Sequence, residues 1–232
     1  LIRFVSSHEV GHTLGLPHNM GSSVAYPVEK LRDAAFTQKY GTAPSIMDYA
    51  RFNYVAQPGD EGVALMPDIG TYDKYAISWG YRPIMGKTAE QEKPILNSWI
   101  MEHAGDPMYR FGHQQAGDVV DPSSQTEDLG DDAMLASTYG IKNLKRIVPN
   151  LIEWTTEAGE DYDDLQEMYG HVISQYNRYM GHVSNNIGGV YEHYKAADQT
   201  GVVYTAVPKD IQKEAMQFIQ YYLFTTHGWL LD

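Results

Sequence analysis

Apolar residues recur along this chain mostly at helical spacing. Between residues 163 and 183, Leu165, Met168, Tyr169, Val172, Ile173, Tyr176, Met180 and Val183 keep to one side of a 3.6-residue repeat, and Gly188-Gly189 follows as a stop. Ile211, Ala215, Phe218, Ile219 and Tyr222 do the same after Pro208. Asp131-Asp132 is suited to cap a helix reaching about residue 148, and Pro149 to open the next, because proline fits a first helical turn. Nearer the start, residues 1–14 predict a helix with apolar positions at Ile2, Val5 and Val10, ended by Gly15. A short helix is expected within 28–38. Another is expected over 66–81, capped by Asp68, with Tyr72, Tyr75, Ala76 and Trp79 as its stripe. Residues 190–206, around Gln199-Thr200-Gly201, suit two short strands.

These elements predict a mainly α chain with a small β component. A composition shift from Arg82-Pro83 to Pro94 divides it into 1–82 and a mostly helical 83–232, the latter with a small hairpin. The chain begins at a leucine and ends just after Trp229-Leu230-Leu231, so it is read as a piece of a longer protein.

Composition narrows the function classes. Hydrophobic residues make up 43 % of the chain, but no apolar run is long enough to span a bilayer, which is the composition of a soluble globular protein. A formal charge of −13 argues against nucleic acid and against an anionic membrane surface as partners, since both need a basic face. With no cysteine, disulfides, thiol nucleophiles and thiolate metal sites are excluded, so any metal must be held by His and carboxylates.

The chemistry is concentrated in His8-Glu9-x-x-His12-x-x-Gly15-x-x-His18. Histidines four apart on a helix project from one face, close enough for two imidazoles to reach one ion. Gly15 can take a positive φ, turning the chain so that His18 returns as a third ligand. Three protein ligands leave one position for water, the arrangement of a catalytic zinc, and Glu9 would stand beside that water as general base and then acid. A chance pair of surface histidines explains His-Glu-x-x-His alone, but not the added Gly15 and His18.

Downstream, Ser45-Ile46-Met47-Asp48-Tyr49 matches in type and order the Met-turn of the metzincin clan, which the chain resembles. Leu16-Pro17-His18-Asn19-Met20-Gly21-Ser22-Ser23, the stretch 125–132 and Gly181-His182-Val183 are similar to large bacterial zinc-dependent metalloproteases with a Met-zincin core. The resemblance implies a peptidase acting on peptide or protein substrates and an extracytoplasmic or secreted location. It also implies that 1–82 is the C-terminal half of a zincin-like catalytic domain, whose sheet would lie upstream in the same protein. Met47 would support the three histidines from below, and Tyr49 would bind the metal or the tetrahedral intermediate. The helix carrying Asp73, Ile77, Trp79, Gly80 and Tyr81 is similar to the closing helix of that domain.

Two rival readings stand beside the peptidase: an inactive zinc-binding piece whose helical part is an interaction module, and a non-peptidase zinc hydrolase, which the Met-turn disfavours. Other groups read more plainly. Glu127, Asp128, Asp131 and Asp132 could bind Ca²⁺, but a carboxylate-rich helix start explains them as well. His171 and His182 lie off the apolar stripe, about 16 Å apart along the helix, and are expected to face solvent.

Overall fold

A computed structural model describes residues 1–50 and 52–231. It is mainly helical: α1 (Ile2–Thr13), α2 (Ala34–Tyr40), α3 (Thr71–Tyr81), α4 (Ala89–Met101), α5 (Ala133–Ile147), α6 (Leu151–Thr155), α7 (Asp163–Ser184) and α8 (Lys209–Tyr222). Strands β1 (Val190–Glu192) and β2 (Tyr204–Ala206) pair antiparallel, with Tyr191 opposite Thr205, in the stretch where two short strands are expected. Among the described residues no helix is long and apolar enough to cross a membrane.

The helices with the clearest apolar stripes build the largest core. Ile141 and Leu144 of α5, Val172, Tyr176, Met180 and Val183 of α7, and Ala215, Phe218 and Ile219 of α8 bury one another. Another face of α5 presents Ala136 and Tyr139 to a second core with Tyr26, Val28, Leu31, Val55 and Leu129. A third and smaller cluster, Phe4, Ile46 and Met47 with Leu16 against it, lies under α1. The expected division near residue 82 falls between α3 and α4, and the second core joins side chains from before and after it.

Several local expectations are corrected. Ile2, Val5 and Val10 are exposed, and α1 buries Phe4, His8 and Gly11 instead, because the 45–49 turn packs against that side. The 28–38 helix is split into a 3₁₀ turn at Val28–Arg32 and α2, whose cap Asp33 accepts from the Phe36 N–H. Helix α3 starts at Thr71 rather than near 66: Pro67 disfavours helical geometry at Met66, and Asp73 caps the helix by accepting from the Gly70 N–H at 2.7 Å. Asp68 instead pairs with Arg3 at 3.0 Å. Pro149 lies in a 3₁₀ turn leading into α6.

His182 does not face solvent. It is 6 % exposed, with Nε2 donating to the Thr126 carbonyl at 3.0 Å, because the 125–129 segment covers that flank of α7. His171 is exposed, as expected.

The acidic run does not assemble a calcium site. Asp131 accepts from the Val28 N–H, Asp132 caps α5 at the Leu135 N–H, and Glu127 pairs with Arg178. Asp128 is buried, and burial, aided by the charge of Asp48, pushes its carboxyl well above the usual range.

Candidate metal centre

Helix α1 places His8 and His12 one turn apart on one face, and the chain leaves the helix at Gly15, whose φ is +84°. An L-residue pays a steric penalty there that glycine does not. The turn is closed by the Gly15 N–H on the His12 carbonyl and the Leu16 N–H on the Gly11 carbonyl. It sends the chain back so that His18 faces His12. One ring nitrogen from each of His8, His12 and His18 lies within 4.8 Å of the others. Among the described residues, this is the one such grouping of three or more His or carboxylate side chains.

Each imidazole is held through its other nitrogen. His8 Nδ1 donates to the Ile46 carbonyl at 2.8 Å, and His12 Nδ1 to the Leu16 carbonyl at 2.9 Å. His18 Nδ1 meets Gln114 Oε1 at 2.7 Å. Carbonyl oxygens only accept, so the protons sit on Nδ1 and the three Nε2 atoms turn lone pairs toward one another. His12 Nε2 and His18 Nε2 are 3.1 Å apart. Two nitrogens about 2.0–2.1 Å from one tetrahedral zinc lie roughly 3.3 Å apart, so the spacing fits a shared ion. His8 Nε2 is buried without a hydrogen-bond partner. A buried, unpaired acceptor is costly unless a cation uses it, and a zinc ion fits this donor set.

The 45–49 turn holds His8 in place. Asp73 is buried at the start of α3, where the positive end of the helix favours its charge. Its carboxylate accepts from Ser45 Oγ at 2.6 Å and from the Ile46 N–H at 2.8 Å. The same Ile46 presents its carbonyl to His8. Asp48, fully buried, accepts from the Ser23 N–H at 2.8 Å and Ser22 Oγ at 3.1 Å, which ties the turn to the loop after His18. Burial pushes the Asp48 carboxyl up to about 7 against those hydrogen bonds. At the far end of α3, the Tyr81 hydroxyl donates to the Leu14 carbonyl.

The remaining candidates are Met47, Tyr49 and Glu9. Met47 is fully buried against Gly11, below the ligand helix. The half-buried Tyr49 ring lies 4.5 Å from the His18 ring and 5.3 Å from that of His8, centroid to centroid. Glu9 is exposed next to His8, close enough for its charge to act on His18. The His18 pKa is lowered, chiefly by burial; the Gln114 hydrogen bond opposes this, and His12 and His8 reinforce it.

Gln114 is the contributor that sequence reasoning missed. It stands 96 residues from His18, beyond the expected division, with no local signal to mark it. Asn19 had a signal of position, being next to His18. Its side chain accepts from the Gly112 N–H and donates to the Arg110 carbonyl, both at 2.9 Å.

A three-histidine centre on a His-Glu-x-x-His helix, floored by a Met-turn, defines a domain of the zinc metallopeptidase type. A family model described as Met-zincin matches residues 1–232, and the chain belongs to that family. Comparisons with curated proteins and with solved structures give no match.

Proposed function

We propose that this chain carries the catalytic centre of a zinc endopeptidase that hydrolyses peptide bonds by attack of water. The observation that carries this reading is the set of three Nε2 atoms, each freed for a metal because its ring donates through Nδ1. His8, His12 and His18 would hold the ion. When bound, zinc would act as a Lewis acid, bringing the pKa of water toward about 7 and polarising the scissile carbonyl.

The remaining chemistry belongs to side chains. Glu9 takes the proton of the attacking water and returns it to the leaving amine. Tyr49, whose ring lies beside that of His18, would donate a hydrogen bond to the oxygen of the tetrahedral intermediate or bind the metal. Met47 and Gly11 keep the ligand helix seated on the turn that orients His8. Action outside the cytoplasm is part of the proposal and rests on the family resemblance.

The test is cleavage of an unstructured protein substrate by the longest form of the protein that can be produced, with and without a chelator, beside Glu9→Gln. Chelation should abolish cleavage and restored zinc should return it. Glu9→Gln should retain zinc and lose about 10²–10⁴-fold in rate. Activity that survives both treatments would overturn the mechanism. Zinc held normally by a chain that cleaves nothing would favour the inactive zinc-binding reading.

A further inference from the structure

We infer that Gln114 is the positioning residue of the third metal ligand, which makes the 110–124 segment a working part of the centre. The inference rests on the metal-binding reading above.

The three imidazoles are not held alike. His8 and His12 donate to backbone carbonyls, which leave the ring no choice of tautomer. His18 depends on a side chain, the amide oxygen of Gln114. Without that acceptor, no group among the described residues holds the His18 proton on Nδ1, and only solvent competes for it. Moved to Nε2, it would point at His12 Nε2, 3.1 Å away, and form a hydrogen bond there. His18 Nε2 would then present an N–H in place of a lone pair and His12 Nε2 would accept it, so a metal would have to displace that proton and break that bond to enter. Gln114 therefore keeps the site open to a cation by fixing where one proton sits.

Its aim is set by packing directly beside the ligand. Asn19, the residue after His18, clamps Arg110 and Gly112 through both ends of its amide. The Gly21 N–H donates to the Gly112 carbonyl at 3.3 Å, and a Cβ on Gly21 would lie only 2.8 Å from Gly112 Cα. From behind, the Arg110 guanidinium donates to the Gly21 carbonyl at 3.1 Å and the Ser123 carbonyl at 2.7 Å, and pairs with Asp121 at 3.2 Å. The stretch that follows His18 thus carries the segment that carries Gln114. The amide is delivered to the ring as one unit with the ligand's own loop.

The experiment compares wild type, Gln114→Met, Gln114→Ala and Gln114→Glu. Zn²⁺ affinity is read by competition with a chromophoric chelator, and the Co²⁺-loaded proteins are read by visible absorption. Gln114 is exposed, so the metal-free variants should melt with wild type. Gln114→Met and Gln114→Ala should each bind Zn²⁺ about 10–100-fold more weakly, with a changed Co²⁺ spectrum. Gln114→Glu keeps an acceptor and should hold Zn²⁺ at least as tightly as wild type. Affinity of the Met and Ala variants within about twofold of wild type, or a Glu variant as weak as they are, would overturn the assignment. A folded wild type that takes up no Zn²⁺ in the same competition would instead sink the metal reading beneath it.

Discussion

Gly11 of α1 faces the sulfur of Met47, and a side chain at this position would have to displace it. A Cβ built on Gly11 overlaps Met47 Sδ and comes within 3.3 Å of Cε, while Met47 itself is fully buried. Contact distance decides this position: the helix bearing His8 and His12 rests on the turn that orients His8.

This contact predicts the behaviour of Gly11→Ala. Alanine should favour the helix by about 0.8–1 kcal/mol. Overpacking a closed site costs about 1–3 kcal/mol, so the net effect is destabilising. Ile46, whose carbonyl holds His8, adjoins Met47, so zinc affinity is expected to fall as well. Introduced into Met47→Ala, the same substitution should cost far less. A double-mutant cycle by thermal melting measures this, and additive effects would show that the two residues are not in conflict.

Asp73 links α3 to the Met-turn with both carboxylate oxygens. Asn at this position must turn an NH₂ group toward at least one donor, which removes a charge-assisted hydrogen bond and leaves a buried donor unmet. Asp73→Asn should therefore lose about 3 kcal/mol of stability, or roughly 6–12 °C in melting temperature for a chain of this size. Zinc binding should weaken with it, through Ile46 and His8. An unchanged melting curve would mean that the turn is held by something else.

His182 predicts a specific acid sensitivity. Burial, the main cause, lowers its pKa to about 4, and the charge of Arg178 adds to it against the Thr126 hydrogen bond. The unfolded chain takes up this proton near 6.5 and the folded chain only near 4. Between those values unfolding binds a proton, so stability is complete above about 6.5 and declines as pH falls toward 4, by about 3 kcal/mol in all. His182→Gln keeps a donor for the Thr126 carbonyl and does not titrate. Denaturant unfolding from pH 7.5 to 4 should show a shallower decline for the variant. Parallel curves would refute burial of a neutral ring.

Much of this protein was legible because the relevant physics is local. The stripes of α7 and α8 follow from helical spacing, and the Asp132 cap and Pro208 start lie within a turn of what they control. The same holds for the three histidines. Their convergence needs one helical turn, one left-handed glycine and three further residues, all within 8–18. Where expectation failed, the deciding partner was distant in sequence. The Ile2, Val5 and Val10 side of α1 reads as the buried one until the Met-turn is seen against Phe4, His8 and Gly11. His182 reads as solvated until residues 125–129 cover it, and within the acidic run Asp131 and Glu127 find partners as distant as Val28 and Arg178.

The sequence by itself determined which side chains could meet a metal, because spacing on a helix is a matter of covalent geometry and backbone sterics. Only the tertiary structure decided how those side chains are held ready. Ring tautomers depend on acceptors brought in from Ile46 and Gln114, and those arrive through packing between segments up to 96 residues apart, which no local pattern encodes.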